Sequence, residues 1–358
     1  MARTILPLGP QHPVLPEPIQ VKLTLEDEHV VSAIPTGGYI HRGIEQAAVN
    51  REYQQAIYMV ERVCGICSFV HAHAYCLALE NLLNVEVPKR AEYLRIFWGE
   101  LTRIHSHLLY VGLFADAIGY ESVFMQAWRV REAIVDLMEK TSGGRVIISV
   151  NMPGGVRRDL PQPLVEEVLA TLPKVRAGMD EISSVLTGDS SYLRRTRGVG
   201  VISATQALDA GAVGPVAKAT GIAEDVRQTG YSGYGDLKFE PITETSGDCW
   251  ARTWVRMREA YQSIDLIQQC LSKLPEGDIA VRVRGEPTGE TTSRVEAPRG
   301  EVFYYARGNG TRKLERLRVR TPSFANIPAL VMMLGKADLT DVPAIILSID
   351  PCISCTER

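Results

Sequence analysis

Seven cysteines stand in this chain of 358 residues, and four of them fall into two Cys-x-x-Cys pairs, Cys64/Cys67 and Cys352/Cys355. Two such pairs make a tetrathiolate, and soft thiolates select zinc, iron-sulfur clusters, copper(I) or nickel over hard cations. A structural zinc module sets its pairs roughly a dozen to twenty residues apart, because each pair staples a small fold. Here nearly the whole chain separates Cys67 from Cys352. A site closed by both ends of a large protein needs a core to position it, which favours a functional centre over a local staple. Cys76, Cys249 and Cys270 have no paired spacing and read as small buried apolar thiols.

The elements that must carry these pairs follow from periodicity. Between Arg51 and Leu83 the spacing is helical, with Tyr53, Ile57 and Val60 on one face, and the first pair lies inside or at a break of that region. If the stretch after Cys67 is helical, His71 lies one turn on and can donate to the Cys67 sulfur. Further helices are predicted over residues 90–118, 122–140, 163–186 and 250–274, the second closed by Thr141-Ser142-Gly143-Gly144. That many long helices suggest a bundle. From Val21 to Ile34, apolar residues partly alternate with Lys22, Thr24, Glu26 and Glu28, which predicts a small antiparallel sheet. Asn151 to Gly155 reads as a turn. Strand-like pieces at 301–306 and 314–320 flank a hairpin turn over Arg307–Gly310. A helix near 326–333 and an apolar, strand-like run at 342–349 then lead to Pro351 and the second pair. The expected class is mainly α with small β parts (α+β), in one domain: an N-terminal β part (1–50), a helical bundle (51–275) and a C-terminal segment (276–358).

Composition excludes other classes. Thirty-nine Lys and Arg against forty-two Asp and Glu give a net charge of −3, no field to gather nucleic acid or anionic lipid. No stretch approaches the roughly 18 consecutive apolar residues of a spanning helix. Residues 1–18 lack the apolar region of a signal peptide, so export is not expected and the thiols should stay reduced. The basic run from Arg312 to Arg320 reads as a solvated strand face.

The residues around the pairs carry a resemblance. Arg62-Val63-Cys64-Gly65-Ile66-Cys67-Ser68-Phe69-Val70-His71, Asp350-Pro351-Cys352-Ile353-Ser354-Cys355-Thr356-Glu357-Arg358 and, upstream, Arg42-Gly43-Ile44-Glu45 resemble the motifs of the catalytic large subunit of nickel-iron hydrogenases. A second resemblance covers nearly the whole chain, to the quinone-site core subunit of respiratory complex I. It includes Gly9-Pro10-Gln11-His12-Pro13, Gly38 to Gly43, Gly198 to Ser203, Asp225-Val226-Arg227 and Ala297-Pro298-Arg299-Gly300-Glu301. The complex I subunit lacks both cysteine pairs. The combination resembles the group 4, energy-converting membrane-bound hydrogenases.

This resemblance implies a nickel-iron centre with carbon monoxide and cyanide on iron. Cys64 and Cys352 would be terminal nickel ligands, and Cys67 and Cys355 would bridge to iron. Heterolytic cleavage of dihydrogen needs a Lewis acid and a nearby base; Cys352 is expected to accept the proton and Glu45 to relay it, the alternative for Glu45 being a salt bridge with a neighbouring Arg. Arg299 is expected over the open nickel position, where its fork could polarise hydrogen or hold cyanide. His71 is assigned to the surroundings of Cys67, Ser323 to a cyanide-binding turn and Asp116 to an acidic set near the metals. His73, His105 and His107 are expected to pack or hydrogen-bond within the helices, and the His12 loop to shape the cavity or contact membrane subunits. Arg358 in place of a terminal His argues against the extra magnesium-type site of soluble relatives.

With the four ligands assigned, no cysteine set remains for an iron-sulfur relay in this chain. The resemblance therefore implies a small subunit with a four-iron cluster, a ferredoxin-like iron-sulfur subunit with ferredoxin as redox partner, and integral membrane subunits that translocate ions. The chain would be peripheral, at the cytoplasmic face of the membrane. The competing readings are a complex I-like quinone-cavity subunit without redox metal, and a zinc-stabilised scaffold.

Overall fold

The computed structural model describes residues 3–358. Its N-terminal part is a three-stranded antiparallel sheet of β1 (Arg3–Leu8), β2 (Gln20–Glu26) and β3 (His29–Thr36), in that order. Val21, Leu23 and Leu25 of β2 point inward at alternate positions, the pattern of a sheet with one buried face. Sequence alternation predicts β2 and β3 but does not identify β1. Two short helices, α1 (Ile44–Val49) and α2 (Tyr53–Val60), follow, and the chain then leaves helical geometry through Cys64 before α3 (Ser68–Leu83).

The bundle is built from α4 (Lys89–Ala117), α5 (Glu121–Ser142), α6 (Gln162–Gly188) and α10 (Cys249–Ser272). On α5, Val123, Ala127, Val130, Ile134, Leu137 and Met138 form one buried stripe, and on α6 Val165, Val168, Leu172, Val175, Met179 and Ile182 do the same. These stripes bring α6 onto α5, while α4 packs against both α5 and α10. Helix α5 stops at Gly143, whose φ of 85° is the left-handed cap that glycine adopts without strain. Helix α4 is buried on nearly every side, and it carries Arg95, Glu100, Arg103, His105, Ser106 and His107 into the interior. Each of those polar groups needs a partner inside the protein.

Between the long helices lie the two-residue strands β4 (Asn151–Met152) and β5 (Gly155–Val156), joined by the expected turn, and the short helices α7 (Ser190–Thr196), α8 (Ala204–Asp209) and α9 (Pro215–Lys218). The C-terminal part is an antiparallel sheet of β6 (Thr288–Ala297), β7 (Gly300–Asn309) and β8 (Leu314–Arg320). Strand β6 was not read from the sequence, because its polar run Thr288–Ser293 lacks apolar alternation. The last β7–β8 pair is Gly308 opposite Leu314, so the connecting turn covers residues 309–313 and overlaps the expected Arg307–Gly310 at its C-terminal half. Helix α11 (Pro322–Leu334) precedes α12 (Val342–Ser348) and α13 (Ile353–Glu357). The run at 342–349 is therefore helix, not strand: an apolar stretch buried all round, as Ile345, Ile346 and Leu347 are, has no periodicity to distinguish the two. One continuous core reaches from Leu8 to Cys355. Among the described residues, no helix is long and apolar enough to cross a membrane.

Candidate metal centre

Each cysteine pair folds as a knuckle. The Cys64 Sγ accepts the backbone N–H groups of Ile66 and Cys67 at 3.3 and 3.4 Å, and the Cys352 Sγ accepts that of Cys355 at 3.4 Å. The local turn thus aims both sulfurs of a pair to one side. The first knuckle ends at α3, capped by Cys67; the second starts α13, capped by Cys352.

The fold brings the two knuckles face to face. Cys64 and Cys352 sulfurs are 3.3 Å apart, Cys67 and Cys355 sulfurs 3.6 Å, and all four side chains are buried. The Cys64, Cys67 and Cys355 sulfurs all lie within 4.8 Å of one another. Hydrogen bonds from Cys352, Cys355 and Cys67, reinforced by the charge of Arg299, hold the Cys64 thiol well below its usual range. Burial, and the bonds it shares with the other three, push Cys355 well up. Four reduced thiols in so small a buried space make a donor set that a soft or borderline metal fits.

Backbone anchors come from distant parts of the chain. The Arg42 guanidinium donates to the carbonyls of Arg62 and Val63 at 2.6 and 2.8 Å and to that of Ser354 at 3.3 Å, joining the two knuckles. Glu17 accepts the N–H groups of Ile353 and Ser354, the latter at 2.9 Å. The Glu357 carboxylate accepts from the backbone of Gly38 at 2.5 Å and Ile40 at 2.6 Å, which wraps the N-terminal loop around α13. Glu17 and Glu357 escaped the sequence reading; the only signal is that each is an acid beside a loop.

Arg299 lies at the tip of the β6–β7 hairpin, in the two-residue turn between Ala297 and Gly300. Gly300 has a φ of 125°, and a Cβ there would meet the Gly214 nitrogen at 2.8 Å, so the tip is packed too tightly for another residue. The buried guanidinium donates to the Asp350 carbonyl at 2.9 Å, the Asp350 carboxylate at 2.8 Å and Ser106 at 3.3 Å. Asp350, at φ 56°, turns the chain into the second knuckle. Although burial opposes charge, Asp350 and the cysteines Cys352, Cys64 and Cys67 keep this guanidinium firmly protonated. Ser323, at the start of α11, accepts the Cys352 N–H at 3.0 Å.

Two expected placements differ, those of His71 and Asp116, and Glu45 meets the salt-bridge alternative. His71 is one turn into α3, but its Nε2 lies 3.5 Å from the sulfur of Cys355, not Cys67, because Nδ1 is held by the Tyr304 hydroxyl at 2.9 Å on β7. Burial lowers the His71 pKa to about 4, so the ring is neutral. Asp116 is exposed at the end of α4, far along the helix from buried Ser106, and is not part of the site. Glu45 lies in a salt bridge: its carboxylate takes Arg318 at 2.6 Å, Arg358 at 3.1 Å and the Val319 N–H at 2.9 Å. Burial alone would raise its pKa, but these three donors bring it below the usual carboxylate value. Arg318 belongs to the solvated face of β8, where Arg316 and Arg320 are also exposed. Cys76, Cys249 and Cys270 are buried elsewhere in the core. His73 bonds Ser232 at 2.8 Å and His107 bonds Glu259 at 2.9 Å.

Two family models match the chain: nickel-dependent hydrogenase over residues 42–115, and respiratory-chain NADH dehydrogenase, 49 Kd subunit, over 117–286 and 281–358. The chain is 42% identical to the carbon monoxide-induced hydrogenase of Rhodospirillum rubrum, over 100% of both. It is 39% identical to the membrane-bound hydrogenase subunit alpha of Pyrococcus furiosus, over 99% of this chain and 87% of that one. It is 38% identical to one subunit of the F(420)H(2) dehydrogenase of Methanosarcina mazei, over 99% and 97%.

Proposed function

The chain belongs to the family that unites nickel-dependent hydrogenase large subunits with the 49 Kd subunit of respiratory-chain NADH dehydrogenase, and from that premise we propose that it is the catalytic subunit of an energy-converting nickel-iron hydrogenase. The observation that carries this reading is the convergence of four buried thiols from opposite ends of the chain. Cys64 and Cys352 would hold nickel as terminal ligands, and Cys67 and Cys355 would bridge to an iron carrying carbon monoxide and cyanide. The pairing of sulfurs across the site, 64 with 352 and 67 with 355, supports that division. When bound, the centre supplies the Lewis acid for reversible, heterolytic cleavage of dihydrogen.

The chain's own groups handle the proton and the charge. The Cys352 sulfur takes the proton, and the thiol that results is held in place by its neighbours in the knuckle. Arg299 presents a fixed cation beside the thiols, its fork locked by Asp350 and Ser106, so no reorganisation is needed when charge develops. Ser323 fixes the backbone at Cys352 and is proposed to face the iron's cyanide. His71 tunes the Cys355 sulfur from a ring oriented by Tyr304. Glu45 relays the proton outward; it lines a surface groove with His41, Arg318 and Arg358, which provides an exit to solvent.

Electrons would leave through a partner small subunit with a four-iron cluster and a ferredoxin-like subunit, with ferredoxin as the redox partner. Integral membrane subunits would couple turnover to ion translocation, and the chain would sit as a peripheral subunit at the cytoplasmic face of the membrane. Subunits of membrane-bound complexes among its relatives support this placement. The test is metal analysis of the chain purified with its partners. About one nickel and one iron per chain, with infrared bands from iron-bound carbonyl and cyanide, is the expected result. Zinc alone points to a scaffold; no metal points to a quinone-cavity subunit of the complex I type.

A further inference from the structure

Between α2 and the segment that leads into β6 lies an open groove of about 790 Å³. Arg157, Arg282, Arg284 and Arg312 line it together with Tyr53 and Tyr58, and all four arginines are exposed. Arg312 is paired with Glu52 at 3.0 Å. Among the described residues, the guanidinium groups of Arg157, Arg282 and Arg284 have neither a hydrogen bond nor a carboxylate partner. Arg157 lies over the Tyr58 ring, 5.1 Å from its centre, which holds that charge at the wall of the groove. Glu286 is the one acid in the lining, and Glu61, whose charge Arg157 also senses, is paired with Arg62 at 2.8 Å. Three unpaired guanidinium groups thus share the groove with a single free carboxylate, on a chain whose net charge is −3.

The backbone of the same groove is tied down at its ends and open between them. The Val281 N–H donates to the Gly154 carbonyl at 2.9 Å, the Tyr53 hydroxyl to the Gly285 carbonyl at 3.2 Å, and the Gly310 N–H to the Pro287 carbonyl at 2.9 Å. Among the described residues, no backbone N–H of residues 282–286 has a partner, and neither have the carbonyls of Arg282, Val283 and Arg284. Arg282 and Arg284 are exposed and Val283 between them is half-buried, the alternation of an extended stretch. A fixed, extended stretch with free donors and acceptors is a template to which another strand adds. A polypeptide backbone offers acceptors and donors in return, whereas a phosphodiester chain or a free anion offers acceptors alone. A small-ligand pocket encloses most of its ligand, while the exposed arginines leave this groove open to solvent.

We propose that this groove docks an acidic, extended segment of a partner polypeptide, added as a strand along residues 282–286 with its carboxylates on Arg157, Arg282 and Arg284. The inference rests on the reading of the chain as one subunit of an assembly. Main-chain hydrogen bonds supply affinity that is indifferent to sequence, and the arginines select acids. A guanidinium fork takes a carboxylate through two parallel hydrogen bonds, so the three forks fix the register of the segment as well as its charge. None of the four paired cysteines lines the groove, so its occupancy does not depend on which metal the thiols hold.

Photo-cross-linking in the complex purified with its partners tests it. The probe is p-benzoylphenylalanine in place of Gln54, an exposed residue of the groove lining, and the cross-linked segment is identified by mass spectrometry. Expected is one stretch of a partner subunit rich in Asp and Glu. Adding Arg282→Glu and Arg284→Glu together is expected to lower the yield of that cross-link about tenfold or more, since like charges then face each other, with the unfolding temperature of the chain unchanged. A cross-link to a neutral or basic segment, to nucleic acid or to lipid, no cross-link, or an undiminished yield in the double variant overturns the proposal. Should the double variant fail to fold, the salt dependence of the cross-link decides: a yield that does not fall at high salt overturns it. Nickel, iron and zinc are measured on the same samples. An acidic cross-link with zinc alone sinks the hydrogenase reading and keeps the groove; nickel and iron without the cross-link does the reverse.

Discussion

Replacing Glu45 by Gln separates a relay from an anchor, because the two roles predict effects of different size. The Glu45 carboxylate takes three donors on two oxygens, and a Gln keeps one acceptor oxygen while turning an amide toward a former partner. The Arg318 side chain is 59% exposed and Arg358 21% exposed, so solvent screens both pairs. As exposed and half-exposed pairs contribute about 0.2–1 kcal/mol each, the structural loss is about 1 kcal/mol, or roughly a fivefold change in a local equilibrium. Loss of a proton relay costs about a hundredfold or more in rate, equivalent to about 2.7 kcal/mol. The assay is hydrogen–deuterium exchange and hydrogen turnover of the assembled enzyme, with metal content measured on the same sample. Expected is nearly full metal occupancy with exchange suppressed at least a hundredfold, while Arg318→Gln, which breaks the ion pair but spares the carboxyl, retains most exchange. Full exchange in Glu45→Gln, or equal losses in the two variants, would refute the relay and leave Glu45 as an anchor of the C-terminal segment.

Four other outcomes are expected. Cys355→Ser should prevent metal assembly, measured as nickel and iron per chain, whereas Cys76→Ser, in the core away from the knuckles, should leave metal content near that of the wild type. Ser323→Ala strands the buried Cys352 N–H, which costs about 1–3 kcal/mol; denaturant unfolding should show the loss, and Ser323→Thr should restore most of it if the added methyl is accommodated. Arg299→Lys keeps the charge but loses the fork on Asp350, and should lower turnover with the metal content intact. His105 is buried, and burial together with Arg131 and Arg299 pulls its pKa from 6.5 to about 3. The unfolded chain therefore binds a proton that the folded chain does not, so stability is full above about pH 6.5 and falls toward pH 3 by up to about 1.4 kcal/mol per pH unit for this group. His105→Gln should flatten that acid limb in a pH series of unfolding curves; an unchanged slope would contradict a neutral buried His105.

Much of the scaffold was legible because it rests on short-range patterns. The stripes of α5 and α6 recur every three or four residues, and the knuckles close within Cys64–Cys67 and Cys352–Cys355, so neighbours along the chain settle both. Arg42 stood in a motif although its task was not visible. Strand β6 and helix α12 were missed or misread for opposite reasons, one too polar to alternate and the other too apolar to show a period.

By itself, the sequence determined which residue types could bind a soft metal, that the thiols were too widely separated for a local staple, and that long helices had to carry them. Only the tertiary structure decided which sulfur His71 faces, because Tyr304 on β7 orients its ring from more than two hundred residues away. It also exposed Asp116, paired Glu45 with Arg318 and Arg358, and recruited Glu17 and Glu357 to hold the second knuckle. The physical reason is the same in each case. A hydrogen bond or ion pair between distant segments depends on how helices and sheets pack, and packing is a property of the whole core that no local spacing encodes.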